Sequence, residues 1–162
     1  LAAPQPPIPA NLTIALSTIQ DPGNLGTIIR TATAVGADGL WVSRDSVDLE
    51  NPKVLRASAG QWFRLAMGVS DNLAQLVASY KQQGARVIST TSHTETSYWD
   101  VDYLRSPTLI LLGNEGAGLS DELSALADLQ VKIPMAAAVE SLNVATAAAL
   151  MLYEVRRQRC MG

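Results

Sequence analysis

The sequence predicts an α/β fold built on a mainly parallel sheet, and three observations carry this. Leu12–Ser17 and Gly39–Ser43 read as strands with a helical stretch, Leu25–Val35, between them, and a strand–helix–strand unit of this spacing makes its two strands parallel. The apolar run Leu109–Leu112 leads into GNEGAGLS, Gly113–Ser120, the pattern of a buried strand ending in a flexible turn. A last helix, Leu142–Tyr153, is apolar nearly all round, which suits a helix buried on more than one side.

The elements follow in order. After the first strand, Asp21-Pro22-Gly23-Asn24 is turn chemistry. Leu25, Ile28, Ile29, Ala32 and Val35 then share one helical face, and Gly36 stops it. Asn51-Pro52 opens a short helix over Lys53–Ala59, ended by Gly60, and a strand is expected within Arg64–Val69. Asp71 or Asn72 caps a helix over Leu73–Gln83, before Gly84. Arg86–Thr91 is a strand followed by a polar loop, Ser92–Asp100. Ser106-Pro107 leads into the strand Thr108–Leu112, and Asp121–Ala127 forms a short helix. VKIPM, Val131–Met135, reads as a short strand ended by proline, and Ser141 opens the last helix.

Length and composition bound the function. The 162 residues suffice for one domain with a full core. No apolar run reaches the roughly 18 residues of a membrane span, so no membrane partner is expected. The start, LAAPQPPIPANL, reads over residues 1–11 as the end of a proline-rich interdomain linker, with the folded domain at 12–162. The single cysteine, Cys160, allows no internal disulfide and fits a reducing cytoplasm. The net charge of −3 counts against an autonomous nucleic-acid binder.

Three stretches offer chemistry. In the first, Asn24 sits in the turn and Arg30 about a turn and a half into the helix. A helix cap and a solvated cation are the plainer alternatives. In the second, Gly113 and Gly118 have Walker-like spacing, but Leu119 stands where the lysine belongs, which excludes an NTPase. Glu115 there is either structural or turned to a substrate. In the third, Ser141 and Asn143 either cap the last helix or offer polar groups to a ligand. Two strand ends and a helix start brought together leave unpaired backbone groups, a ready pocket. His93 lacks metal-ligand neighbours at usable spacing, so no metal is expected. Arg156, Arg157 and Arg159 read as a solvated helix end, with an RNA phosphate contact as the sharper alternative.

These pieces are D-P-x-N-x-G-x-I-I-R-T-A, then G-x-E-G-x-G-L after a strand, then I-P-M and S-L-N-V. In this order they resemble the SpoU/TrmH family of RNA ribose 2′-O-methyltransferases, within the SPOUT superfamily, over roughly Leu12 to Arg159. The resemblance implies helices on both faces of the sheet and a deep C-terminal trefoil knot. It implies S-adenosylmethionine as cofactor and a homodimer with the last helix at its interface. Matching positions are Gly113, Ile133 and Leu142 for the cofactor, with Thr90, Leu112, Asn114, Gly118, Met135 and Ser141 beside them. Arg30 matches the catalytic arginine, and Asn24, Glu115, Ser141 and Asn143 would position the reactants. The implied substrate is rRNA or tRNA, with rRNA slightly favoured. A small RNA-binding domain is expected before the catalytic one. A non-catalytic RNA-binding or dimerisation module that kept the fold is the alternative.

Overall fold

A computed structural model describes residues 4–8, 10–104 and 107–161. Leu1–Ala3 and Pro9 of the expected linker, and Ser106 of the expected Ser106-Pro107 lead, lie outside the described residues. The elements are β1 (Leu12–Leu16), α1 (Pro22–Ala34), β2 (Gly39–Ser43), α2 (Pro52–Ala57), β3 (Met67–Ser70), α3 (Leu73–Gln82) and β4 (Arg86–Thr90), then β5 (Thr108–Leu112), α4 (Asp121–Leu126), β6 (Leu129–Val131) and α5 (Val144–Met161). Single 3-10 turns lie at Gln61–Phe63 and Tyr98–Asp100.

The six strands form one sheet in the order β3-β2-β1-β5-β4-β6, and every neighbouring pair is parallel. Alternate residues of each strand feed two cores, as a strand's two-residue period requires. Ile14, Leu40, Ile88 and Ile110 pack beneath α1, α2 and α5. Ala15, Trp41, Val87, Leu109 and Leu111 pack beneath α3 and α4. Helices therefore cover both faces, as the resemblance implied. The chain winds outward from β1 in one direction to β3, then crosses to β4 on the far side. The reversal lies at β1 and β5, where parallel α/β sheets open a crevice at their carboxyl ends.

Three expectations need correction. β6 begins at Leu129 and ends at Val131, with Lys132 making one further bridge to Ser97, so Ile133–Met135 lies outside the sheet. Pro134 has no N–H to give a ladder, and pairing stops before it. The strand expected from Arg64 starts only at Met67. The Trp62 indole N–H donates to the Leu49 carbonyl at 2.8 Å and folds the preceding residues into a turn instead. The last helix begins at Val144, not beside Ser141, because the Asn143 side chain accepts from the N–H groups of Ala145 and Thr146.

That helix also runs past Tyr153. Its basic run is anchored within the chain: Arg156 donates to the Val35 carbonyl, Arg157 pairs with Glu154, and Arg159 reaches the Asn11 carbonyl and the Thr108 hydroxyl. The proline-rich start is anchored too. The Pro4 carbonyl accepts from the Met67 N–H, the Pro7 carbonyl from the Tyr80 hydroxyl, and Pro6 packs against Gly39. No helix among the described residues is long and apolar enough to cross a membrane.

Candidate active site

The glycine turn after β5 is set by a close backbone approach. A Cβ on Gly113 would lie 2.2 Å from the Gly118 carbonyl carbon and 2.3 Å from the Leu119 nitrogen, so only glycine fits. Asn114 and Gly118 exchange backbone hydrogen bonds of 3.1 and 3.0 Å across the turn. The Asn114 side-chain oxygen accepts from the Gly116 and Ala117 N–H groups at 2.9 Å each, and its amide donates to the Thr18 carbonyl at 2.7 Å.

The turn grips the start of α1. The Glu115 carboxylate accepts from the backbone N–H of Gln20 at 3.1 Å and of Asp21 at 3.0 Å. Asp21, rather than Asn24, is the N-cap, accepting from the Gly23 and Asn24 N–H groups. That frees the Asn24 side chain, whose oxygen accepts from the Asn143 amide at 3.0 Å. Asn143 thus caps α5 and ties it to α1 with one side chain. Arg30 is exposed on α1, roughly 9 Å along the axis from Asn24 at 1.5 Å per residue.

A cleft of about 880 Å³ opens beside this junction, within the range that holds drug-sized ligands. Of the residues expected at the cofactor, Thr90, Ile133, Met135, Ser141 and Leu142 line it. Leu112, Gly113, Asn114 and Gly118 do not: Leu112 is buried in the sheet core, and the other three shape the adjoining turn. Asn24, Arg30, Glu115 and Asn143 also stand outside the lining. Among the described residues, no backbone hydrogen bond is formed by Ile133, Met135, Ser141 or Leu142. Their N–H and C=O groups are available to a ligand.

The β1–α1 connection is held from its other side by a carboxylate. Asp45 accepts from the Thr18 and Ser43 hydroxyls, and these two bonds hold its carboxyl below the usual range. Thr18 sits at a φ of 56°, a left-handed conformation that a threonine adopts only under local constraint.

The family model for the SpoU rRNA Methylase family matches residues 11–153. The chain belongs to this family. It is 46 % identical to an uncharacterized tRNA/rRNA methyltransferase of Synechocystis sp., over 95 % of this chain and 56 % of that protein. It is 42 % identical to the 23S rRNA (uridine(2479)-2′-O)-methyltransferase of Streptomyces viridochromogenes, over 87 % of this chain and 50 % of the relative. The crystal structure of the SpoU methyltransferase AviRb from S. viridochromogenes, in complex with the cofactor AdoMet, superposes with a TM-score of 0.88. There the identity is 36 %, over 98 % of this chain and 62 % of that one. The chain spans about half the length of the curated relatives it matches.

Family membership leaves several lining residues unannounced. Thr91, Ser92 and His93 line the cleft because they follow the carboxyl end of β4, and Lys132, Pro134, Val139 and Glu140 because they flank the expected segments. The signal that could have found the first three is their place directly after the carboxyl end of β4, the side of a parallel sheet on which ligands bind.

Proposed function

We propose that this SpoU-family chain is the catalytic domain of an S-adenosylmethionine-dependent RNA methyltransferase that modifies a ribose 2′-hydroxyl of rRNA or tRNA. The observation that carries the reading is the junction of three distant segments. Glu115 holds the start of α1, and Asn24 meets Asn143, beside a cleft with unpaired backbone groups.

The residues fit the cofactor. Free backbone groups at Ile133, Met135, Ser141 and Leu142 would hold its polar edges, with Thr90 and Ser141 hydroxyls nearby. The Ile133, Met135, Val139 and Leu142 side chains would meet its apolar parts. When bound, S-adenosylmethionine supplies an electrophilic methyl group on a sulfonium. Gly113, Asn114 and Gly118 keep the turn beside the cleft in one shape.

Arg30 binds the phosphate beside the target ribose and stabilises the forming alkoxide. A guanidinium stays protonated at neutral pH and makes a poor base, so the 2′-hydroxyl proton leaves to phosphate or water. The Arg30 side chain makes no hydrogen bond or ion pair among the described residues, which leaves its fork free for phosphate. Asn24, Glu115, Ser141 and Asn143 position the α1 helix and the reactants. The working unit is a homodimer, supported by the outward flank of α5, where Tyr153 is half exposed.

The test is Arg30→Ala. Methylation of total RNA should fall by at least a hundredfold, roughly the worth of one electrostatic catalytic group. Calorimetric affinity for S-adenosylmethionine should stay within a few-fold. Near-normal turnover by that variant would refute the role.

A further inference from the structure

The acidic balance of the chain conceals a segment of opposite sign. Residues 51–70 carry Lys53, Arg56 and Arg64 and no Asp or Glu, in a protein of net charge −3. All three cations are exposed. None of their side chains forms a hydrogen bond or ion pair among the described residues.

Amid these cations stands Phe63, the single phenylalanine of the sequence, with 79 % of its surface exposed. It is fixed rather than loose. Its ring packs edge-on against Trp62, centroids 5.2 Å apart, and Trp62 is buried and hydrogen-bonded to the Leu49 carbonyl. The turn that presents it is entered through two successive left-handed residues, Ala59 at φ 52° and Gly60 at φ 82°. Strain of that kind in an alanine persists where the surroundings hold it, and it collects at ligand-binding places.

This turn lies against the helix that bears Arg30. α1 packs on both α2 and the 3-10 turn. The crossing is tight at Gly26, where a Cβ would meet the Ala57 Cβ at 2.4 Å and the Val54 carbonyl at 2.6 Å. Arg30 is four residues on from Gly26, hence on the same helical face one turn away. Ala57 ends α2 and leads straight into Ser58–Phe63. The elements that carry the exposed ring, the three cations and Arg30 thus meet around a single helix crossing.

We propose that Phe63 is a stacking platform for an unpaired base of the RNA substrate, next to the nucleotide that is methylated, with Arg56 and Arg64 on the adjoining phosphates. The inference rests on the RNA methyltransferase reading and extends it to substrate recognition. Single-stranded RNA is bound by this pairing of an exposed aromatic with a cationic track. A protein partner fits less well, since interface centres are depleted of charge and of lysine in particular.

The experiment measures fluorescence anisotropy of a fluorescein-labelled 20-nucleotide single-stranded RNA against the intact protein, together with calorimetry of S-adenosylmethionine. Phe63→Ala should weaken RNA binding by roughly fivefold to a hundredfold, the range spanned by stacking of one base on an aromatic. Phe63→Trp should restore it, and Phe63→Leu, apolar but without a π-face, should not. Arg56→Gln and Arg64→Gln should each lower the slope of log affinity against log salt by about 0.7, the value for one single-strand phosphate contact. Cofactor affinity and Tm should be unchanged throughout. Wild-type RNA affinity in Phe63→Ala, or full rescue by leucine, overturns the platform. A shift of Phe63→Ala from dimer to monomer in sedimentation overturns it as well, and marks the face as a protein interface. Failure of the enzyme reading shows differently, as no S-adenosylmethionine binding by the unmodified protein.

Discussion

Replacing Gly113 by alanine tests the claim that the turn after β5 exists in only one shape. The added Cβ would lie 2.2 Å from the Gly118 carbonyl carbon, 2.3 Å from the Leu119 nitrogen and 2.5 Å from the Gly118 oxygen. Relief requires the two backbones to part by roughly 1 Å to reach ordinary van der Waals separation. The paired Asn114–Gly118 hydrogen bonds, now 3.1 and 3.0 Å, would then exceed bonding distance. Two such bonds contribute about 1 kcal/mol each, and overpacking adds ~1–3 kcal/mol. A loss of about 3–5 kcal/mol, at ~2–4 °C per kcal/mol for a domain of this size, lowers Tm by roughly 6–20 °C. Calorimetry on the variant reads this directly. Gly116→Ala is the control, because its Cβ would meet only the Asn114 side chain at 3.6 Å, and its Tm should move by at most a few degrees. A Gly113→Ala protein melting within about 2 °C of the parent would show that the turn yields freely, and the argument from close approach would fail.

Asn143 separates capping from positioning. Asn143→Ser keeps an N-cap oxygen and should change stability by less than about 0.5 kcal/mol, but its side chain is too short to reach Asn24. Methyl transfer should drop about tenfold or more, with Tm nearly constant; equal activity would mean the Asn24 contact is incidental. Glu154 governs acid behaviour. Hydrogen bonds from Arg157, then Gln158, hold its carboxyl below the usual range, so its contribution is full above the unfolded value near 4.3 and fades as pH falls through the lower folded value. Glu154→Gln should cost about 1 kcal/mol near pH 7, with the Tm difference from the parent closing below about pH 4. A difference that widened in acid would contradict the assigned direction.

The fold was legible where residues report their own environment. Leu109–Leu112 reads as buried because it has no polar member, and all four are buried in the centre of the sheet. Gly36 and Gly84 mark helix ends and do adopt positive φ. The last helix was legible in kind, and the basic run Arg156, Arg157 and Arg159 was read as its solvated end. Its anchoring was not legible: Gln158 and Arg159 bond to Val101, Tyr103 and Asn11. Partners so distant in sequence leave no periodic trace. Ser141 looked like a cap because its hydroxyl suits one, but Asn143 takes that place, and nothing local distinguishes them. At the site, Glu115 was visible as a charge in a glycine turn. That it serves the backbone of Gln20 and Asp21 depends on the pairing of β1 with β5.

That pairing has a consequence for how the chain comes into being. Ile14 faces Ile110 across the middle seam of the sheet, 96 positions later (110 − 14). During synthesis from the amino end, β1, β2 and β3 can assemble early, but β1 then presents an edge of unpaired N–H and C=O groups. Nothing covers it until the ribosome has released residues through Leu112. Such seams close slowly and are prone to stray association meanwhile. The nascent domain is therefore most vulnerable in the interval between the emergence of β3 and that of β5, while its central strand still lacks a neighbour.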